Sequence, residues 1–393
     1  MKILLLSFYY RPDIGPGSFR AQSLVKALVE KRRKDIEIDV FTSLPNRYQT
    51  YRIDSDEFEN NTMIKVHRAP IPKHASGMLD QTLAFISYAK FVLKGAKDKE
   101  WDLIVATSSR LMTASLAAYL AKKKNIKLYL DIRDLFTDTM KDILRNHPLR
   151  IVLPFFRLME KITYKSASRL NVVSEGFISH VKEIAPKHEL TVFTNGIDDQ
   201  FLNIKKSKKS DKNNLPIILY AGNIGEGQGL HNIIPFIAKD LITIAEFHIF
   251  GDGGRRTALE TKVTNFGLEN VLIKNPISRK ELLKEYSKAD ILLIHLNNLS
   301  AFQKVLPSKI FEYAATEKPI LAGVSGYAAE FIKKEVPGVE VFNPCDSSDM
   351  KLALKRLLAG PTIINRKEFC NKYLRRNIMS QMANDILILH EKT

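Results

Sequence analysis

The stretch Val305 to Leu321, VLPSKIFEYAATEKPIL, decides how the second half of the chain reads. Pro307 suits the first turn of a helix and Ser308 suits its N-cap, so the backbone N–H groups of Lys309 and its neighbours are expected unpaired and aimed outward. A helix mouth of that kind seats an anionic group such as a phosphate. Glu312 follows Ser308 by four residues, which places it on the same helical face about 6 Å along the axis. A carboxylate there can accept hydrogen bonds from a ribose diol while phosphates occupy the helix end. On spacing alone Glu312 reads equally well as a first-turn acid that complements the helix dipole. The helix then runs into KPIL, an apolar strand, so the segment is a helix-to-strand return of the kind that builds parallel sheets.

Working outward, apolar runs with strand character alternate with helical stretches almost from end to end. KILLLSF, IEIDVFT, DLIVATS and IKLYLDI fill the first half, and LPIILYAG, AEFHIFG, ENVLIK, ADILLIHL and KPILAGV the second. Such alternation predicts an α/β chain with two doubly wound parallel sheets. TVFTNGIDDQFLNIKKSKKSDKNNLP is polar and weakly periodic, so a linker is expected over residues 194–215, between a first domain over 1–193 and a second over 216–364. Residues 365–393 are expected to form an amphipathic helical tail that packs back toward the first domain, anchored by Phe369, Tyr373, Ile378, Met382 and Ile386.

Composition limits the function classes. A chain of 393 residues with 45% hydrophobic and 9% aromatic residues is an ordinary globular protein of about two domains. Cys345 and Cys370 offer neither a disulfide framework nor metal-ligand spacing, and no metal or other cofactor is expected. The N-terminal MKILLLSFYYRPD lacks a cleavage site and reads as a first strand. The uncharged run Leu111 to Ala121 falls short of the roughly 20 residues a spanning helix needs. Sixty Lys and Arg against 43 Asp and Glu leave a charge of +17, which fits a solvated basic surface, an anionic membrane face or a phosphorylated ligand. The basic runs Lys31–Lys34, Lys122–Lys124 and Lys205–Lys209 carry no interleaved aromatics, which argues against nucleic acid. The helical stretch Gly77 to Lys99, with Leu79, Leu83, Ile86, Phe91 and Leu93 on apolar positions, reads as a core helix or as an interfacial helix on anionic lipid.

In doubly wound sheets, ligands collect beyond the carboxyl ends of the strands. After the first strand, Gly15 and Gly17 flank Pro16 ahead of a helix and allow close backbone approach to a ligand. This is not Gly-x-Gly-x-x-Gly, and no acidic residue ends the second strand, so a dinucleotide site is not indicated. Asp131, Arg133 and Asp134 cluster at the end of the buried strand KLYL, where ionisable groups are costly unless paired or used. An Arg–Asp pair stitching the loop is the plainer alternative. The turn NIGEGQGL can wrap an anion with backbone donors but has no P-loop Lys-Ser/Thr. Arg255 opens the helix after FHIFGDGG, a position that makes sense beside an anion.

With these residues in view, the sequence resembles the retaining glycosyltransferases of the GT-B fold, two Rossmann-like domains facing across a cleft, over nearly its whole length. YYRPDIGPGS, LDIRDLF, NVVSEGF, TNGID, LYAGNIGEGQGL, IFGDGG and LPSKIFEYAATEKPILA carry the similarity. The last resembles the family's Glu-x7-Glu donor segment, and the LDIRDLF and PSKIFEY strings are similar to the branch that assembles O-antigen, capsule or exopolysaccharide. That branch includes transferases of N-acetylated amino-deoxy sugars. The resemblance implies that Glu312 binds the nucleotide ribose, that Pro307, Ser308 and Lys309 sit at the diphosphate, and that Gly15 and Gly17 face the donor from the first domain. Three positions depart from the pattern. The first Glu falls on Lys304. The diphosphate-binding Arg and Lys fall on Asn223 and Gln228, leaving Lys309, Arg255 and the helix start to replace them. The His of a frequent His-Asp pair falls on Arg133, with Asp134 retained.

The resulting expectation is a metal-independent transferase. It moves a sugar from a nucleotide-sugar donor, UDP-linked, to a polyprenyl-diphosphate-linked saccharide at the cytoplasmic face of an anionic plasma membrane. Asp134, Arg133 and Asp131 are its catalytic candidates. A nucleotide-sugar epimerase or hydrolase on the same fold, and a non-catalytic protein binding anionic lipid or nucleic acid, are the competing readings.

Overall fold

The computed structural model describes residues 1–32, 35–47, 54–72, 78–108, 110–204 and 215–391. Residues 205–214 of the expected linker, with the Lys205–Lys209 run, part of Lys31–Lys34 and Gly77 lie outside the described residues. The chain divides into two compact units, the first from Met1 to Asn195 together with Arg375 onward, the second from Gly196 to Leu374.

The first unit holds β1 (Lys2–Leu6), β2 (Glu37–Ser43), β3 (Phe58–Asn60), β4 (Ile64–Ala69), β5 (Leu103–Ser108), β6 (Lys127–Ile132), β7 (Arg169–Val172) and β8 (Leu190–Val192) in one sheet, ordered β3-β4-β2-β1-β5-β6-β7-β8. Every pairing is parallel except that of the short edge strand β3 with β4. Its helices are α1 (Pro16–Arg32), α2 (Met78–Gly95), α3 (Leu111–Lys124), α4 (Phe136–Ile143), α5 (Leu153–Ser166) and α6 (Ile178–Ile184). Every residue of β5 is buried, the state expected of a central parallel strand covered on both faces and the reason it reads as an unbroken apolar run.

The second unit holds β9 (Ile217–Asn223), β10 (Glu246–Asp252), β11 (Val271–Lys274), β12 (Ile291–His295), β13 (Ile320–Gly323) and β14 (Val339–Phe342), all parallel, in the order β11-β10-β9-β12-β13-β14. Counted within the unit this is the doubly wound order 3-2-1-4-5-6. Its helices are α7 (Ile234–Asp240), α8 (Arg256–Asn265), α9 (Arg279–Lys288), α10 (Lys309–Ala314), α11 (Tyr327–Glu335), α12 (Ser347–Ala359) and α13 (Lys367–Lys372). Two buried apolar clusters contribute to its core, one gathered around Phe311, Tyr313 and Phe331 and the other around Ile234, Phe247 and Leu354. α9 starts on a full capping box, Ser278 with Glu281.

The boundaries differ from the sequence expectation at both crossings. Residues 196–204 do not act as a free linker. Phe201 is fully buried in the second unit's core, and Ile197 pairs with Leu374. The tail is two helices in two units. α13 stays in the second unit because Phe369 and Tyr373 stack within an aromatic cluster with Phe311 and Phe331. α14 (Arg375–Glu391) belongs to the first unit, where it packs on α1 and buries Ile378, Met382 and Ile386. α2 is a core helix on one face, with Ala84, Phe85, Tyr88 and Val92 buried, and leaves Leu83, Ile86 and Leu93 exposed on the other.

Candidate active site

In the second unit the winding reverses between β9 and β12, so their carboxyl ends form a topological switch point, the place where a doubly wound sheet leaves room for a ligand. β9 ends on Gly222 and Asn223, with Gly222 at φ +149°, a conformation that L side chains rarely adopt. Lys309, at the start of α10, crosses this strand end: its Cε and Nζ lie 2.5 Å from where a Gly222 Cβ would be. The ammonium sits 5.6 Å from the Tyr220 ring and 5.8 Å from the Tyr313 ring. Those rings are fixed in turn, as the Tyr220 hydroxyl donates to Asn223 O (2.6 Å) and the Ala221 N–H donates to the Tyr313 hydroxyl (3.2 Å). Among the described residues Lys309 makes no hydrogen bond or ion pair. Burial lowers its pKa, and the nearby Glu312 opposes that shift.

Glu312 lies one turn along α10, 9% exposed, and accepts no hydrogen bond among the described residues. Its nearest cation is Arg279 of α9, at 3.9 Å. Arg279 is ion-paired with Asp198 and lies 4.8 Å over the Phe201 ring, so its position is set from the second unit's first segment. The result is a largely buried carboxylate beside a fixed guanidinium and an unpaired ammonium.

The helix mouth differs from the expectation. Ser308 is itself helical (φ −60°, ψ −24°), and its side chain caps nothing. The N–H groups of Ile310 and Phe311 donate to Pro307 O and Ser308 O in a tight first turn, leaving only those of Ser308 and Lys309 unbonded among the described residues. Pro307 precedes this turn, half-buried. Lys304 ends a short 3-10 turn, Ser300–Lys304, and is half-buried too.

The glycine-rich turn after β9 is built from internal bonds. Asn223 Nδ2 donates to Gln228 Oε1 at 2.6 Å, so the two amides standing at the family's cationic positions are bonded to each other. Arg255 is met by Glu226 within the chain, which answers its charge at the start of α8 without an external anion. Asn297, just past β12, donates to Glu226 O (2.9 Å). His295 ties the turn to the sheet. Its Nε2 accepts from the Cys345 N–H (3.0 Å), which places the proton on Nδ1, donating to Gln228 O at 2.6 Å. Burial pushes this imidazole down to about 4. Arg279, His295, Asn297 and Tyr313 are the site residues that sequence reading missed. Only the strand-end positions of His295 and Asn297 gave any signal.

In the first unit the three candidates after β6 part ways. Asp131 is fully buried and committed: Arg20 of α1 donates to it twice (2.7 and 2.9 Å) and Asn171 once (2.7 Å). It holds the fold and does not present its carboxylate to a substrate. This corrects its place among the catalytic candidates, and the stitching Arg is Arg20, not Arg133. Arg133 keeps Nε and Nη1 buried without a hydrogen-bond partner, and burial lowers its pKa to about 10. Gly17 makes room for it, since a Cβ there would meet Arg133 Nη1 at 2.6 Å, whereas at Gly15 a Cβ would find only ordinary contact with Arg47. Asp134 retains an open surface but is crowded enough that lost hydration raises its pKa to about 6, against the pull of Arg133 and Arg47. Asp13, buried after β1, accepts from the Asn46 and Arg47 N–H groups (both 3.1 Å) and is likewise raised to about 6 by burial.

Two family models match the chain, the glycosyl transferase 4-like domain over residues 17–196 and the glycosyl transferases group 1 over residues 202–376. Their limits coincide closely with the crossing between the two structural units. The chain is a glycosyltransferase of the GT-B fold. The transferase is similar, at 24% identity over 98% of its length and all of the relative's, to the putative colanic acid biosynthesis glycosyl transferase WcaI of Escherichia coli. Its fold is similar to that of Anabaena HepE in complex with UDP-glucose (TM-score 0.66, 15% identity, 98% of this chain and 99% of that one). It is also similar to WaaG, a glycosyltransferase involved in lipopolysaccharide biosynthesis (TM-score 0.65, 13% identity, 99% and 98%). No helix among the described residues is long and apolar enough to cross a membrane.

Proposed function

We propose that the transferase moves an N-acetylated hexosamine or deoxyhexosamine, with retention of anomeric configuration, from a UDP-sugar to a polyprenyl-diphosphate-linked saccharide. The setting is surface polysaccharide assembly at the cytoplasmic face of an anionic membrane. The observation that carries the reading is the pair at the switch point: an unpaired Lys309 ammonium against Gly222, with the unbonded Glu312 carboxylate one turn away. Departure of a nucleoside diphosphate builds negative charge, which a pre-placed cation and free amides stabilise without reorganising. Lys309 and the N–H groups of Ser308 and Lys309 supply that charge with no metal ion, and Glu312 takes the ribose hydroxyls. In the first unit, Asp134 is raised toward the working pH and suits a proton acceptor for the attacking hydroxyl. Arg133 brings a guanidinium with unspent donors. The UDP-glucose bound by HepE and the pathway named for WcaI support the donor and the product class.

The deciding experiment is transfer from a panel of UDP-, GDP- and dTDP-sugars to membrane-extracted lipid-linked acceptors, read by mass spectrometry, for the wild type and for Glu312→Ala and Lys309→Ala. Loss of transfer in both variants with unchanged circular dichroism supports the assignment, and wild-type rates in both overturn it. Isomerised or free sugar without acceptor would instead mark an epimerase or hydrolase.

A further inference from the structure

Residues 141–165 of the first unit carry an apolar face that nothing among the described residues covers. α5 packs inward on α3 and α4 through Leu153, Thr163 and Tyr164. At 3.6 residues per turn Phe155, Leu158 and Ile162 fall on the opposite side. They are 62%, 57% and 59% exposed, and Ile151, in the 3-10 turn leading into α5, is 84% exposed. Charge is sorted along the same segment. Lys141, Arg145, Arg150, Arg157, Lys161 and Lys165 are all exposed, whereas none of its acids, Asp142 and Glu160, is. Glu160 is turned inward, accepting from Thr137 (2.5 Å) and Tyr164 (3.2 Å).

We infer that this face docks the transferase on an anionic lipid bilayer, with Ile151, Phe155, Leu158 and Ile162 entering the interface and Arg157, Lys161 and Lys165 flanking them on lipid phosphates. A second copy of the same face would bring like charges together, so the charge pattern favours an anionic surface over self-association. α5, at 14 residues, is too short to span and lies in the membrane plane. The inference deepens the membrane part of the proposed function and does not depend on the donor assignment.

The test is sedimentation with vesicles of phosphatidylcholine alone and of phosphatidylcholine with phosphatidylglycerol. Wild type is expected to sediment with the anionic vesicles, Phe155→Asp/Leu158→Asp to lose about tenfold or more of that binding, and Arg157→Gln/Lys161→Gln/Lys165→Gln to lose the anionic preference. Leu83→Asp/Leu93→Asp on α2 serves as the control and keeps it. UDP-sugar binding, measured by calorimetry, stays at the wild-type value in all of them. Three results overturn the inference: no vesicle binding by wild type, undiminished binding by the α5 variants, or loss in the α2 variant instead. A fall in solution mass from dimer to monomer in the α5 variant, without vesicle binding, would reassign the face to a second copy. Absent UDP-sugar binding with intact vesicle binding would count against the donor reading and leave the surface standing.

Discussion

Arg20 and Asp131 meet in two hydrogen bonds, 2.7 and 2.9 Å, with neither side chain exposed. The same guanidinium donates to Phe193 O (2.7 Å) and Thr194 O (2.8 Å), so it also fixes the chain where the first unit ends. Removing one partner leaves an uncompensated buried charge, and Asp131→Ala is expected to destabilise the first unit by roughly 3–5 kcal/mol. The single tryptophan, Trp101, is buried in this unit and bonded to Asp39 (2.8 Å), so its fluorescence in a urea titration reads the loss. A change under about 1 kcal/mol would mean that the site relaxes without the pair.

Gly222 offers a test of Lys309 that leaves Lys309 in place. A Cβ at Gly222 would sit 2.5 Å from the lysine's Cε and Nζ. Gly222→Ala is therefore expected to displace the ammonium and to reproduce the loss in Lys309→Ala, on the order of 10²–10³ in kcat, the usual effect of losing one charge-stabilising group. Steady-state kinetics of the two single variants and of the double variant decide it. If the losses multiply, the two residues act separately.

Arg279 acts on Glu312 from 3.9 Å and is held by Asp198. Arg279→Ala should loosen the carboxylate and raise the donor KM about tenfold with a smaller change in kcat, since ribose contacts bind ground and transition states alike. A pure kcat effect would place Arg279 at the reacting centre instead.

His295 gives the second unit an acid limit. Its folded pKa is depressed to about 4, so the contribution of the neutral ring is full above the unfolded value of about 6.5 and is lost as pH falls from there toward 4. Wild type is expected to lose roughly 2 kcal/mol more than His295→Gln between about pH 7 and pH 5. Denaturation curves at the two pH values measure it, and parallel losses would show that the ring titrates normally.

Because Lys309 and backbone amides are assigned to the leaving diphosphate, transfer should proceed at its full rate in excess EDTA. A rate restored only by magnesium or manganese would remove that assignment.

The sheets were legible where strands are buried on both faces. β1, β5, β9 and β12 are continuous apolar runs because helices cover them above and below. β4 escaped notice because Lys65, His67 and Arg68 interrupt it, and its burial comes from pairing with β2 and from the Arg68–Glu59 ion pair. β3, β8 and β14 are three or four residues long and carry too little pattern to read. In the candidate site, the placement of Lys309 and Glu312 on one short helix was readable from local spacing. Arg279 and His295 were not, since each acts through partners tens of residues away. Asp131 misled because a buried carboxylate at a strand end looks the same in sequence whether it faces a ligand or an arginine from another helix.

The pairing of Ile197 with Leu374 sets the two ends of the second unit side by side. That unit is thus topologically an insertion between residue 195 and the closing helix α14 of the first. A fragment spanning 196–374 is a complete module with adjacent termini. A fragment ending at 195 lacks the helix that buries Met382 against Arg20. The second unit can accordingly be exchanged between related chains as one contiguous segment, whereas the first is assembled from stretches of chain on either side of it.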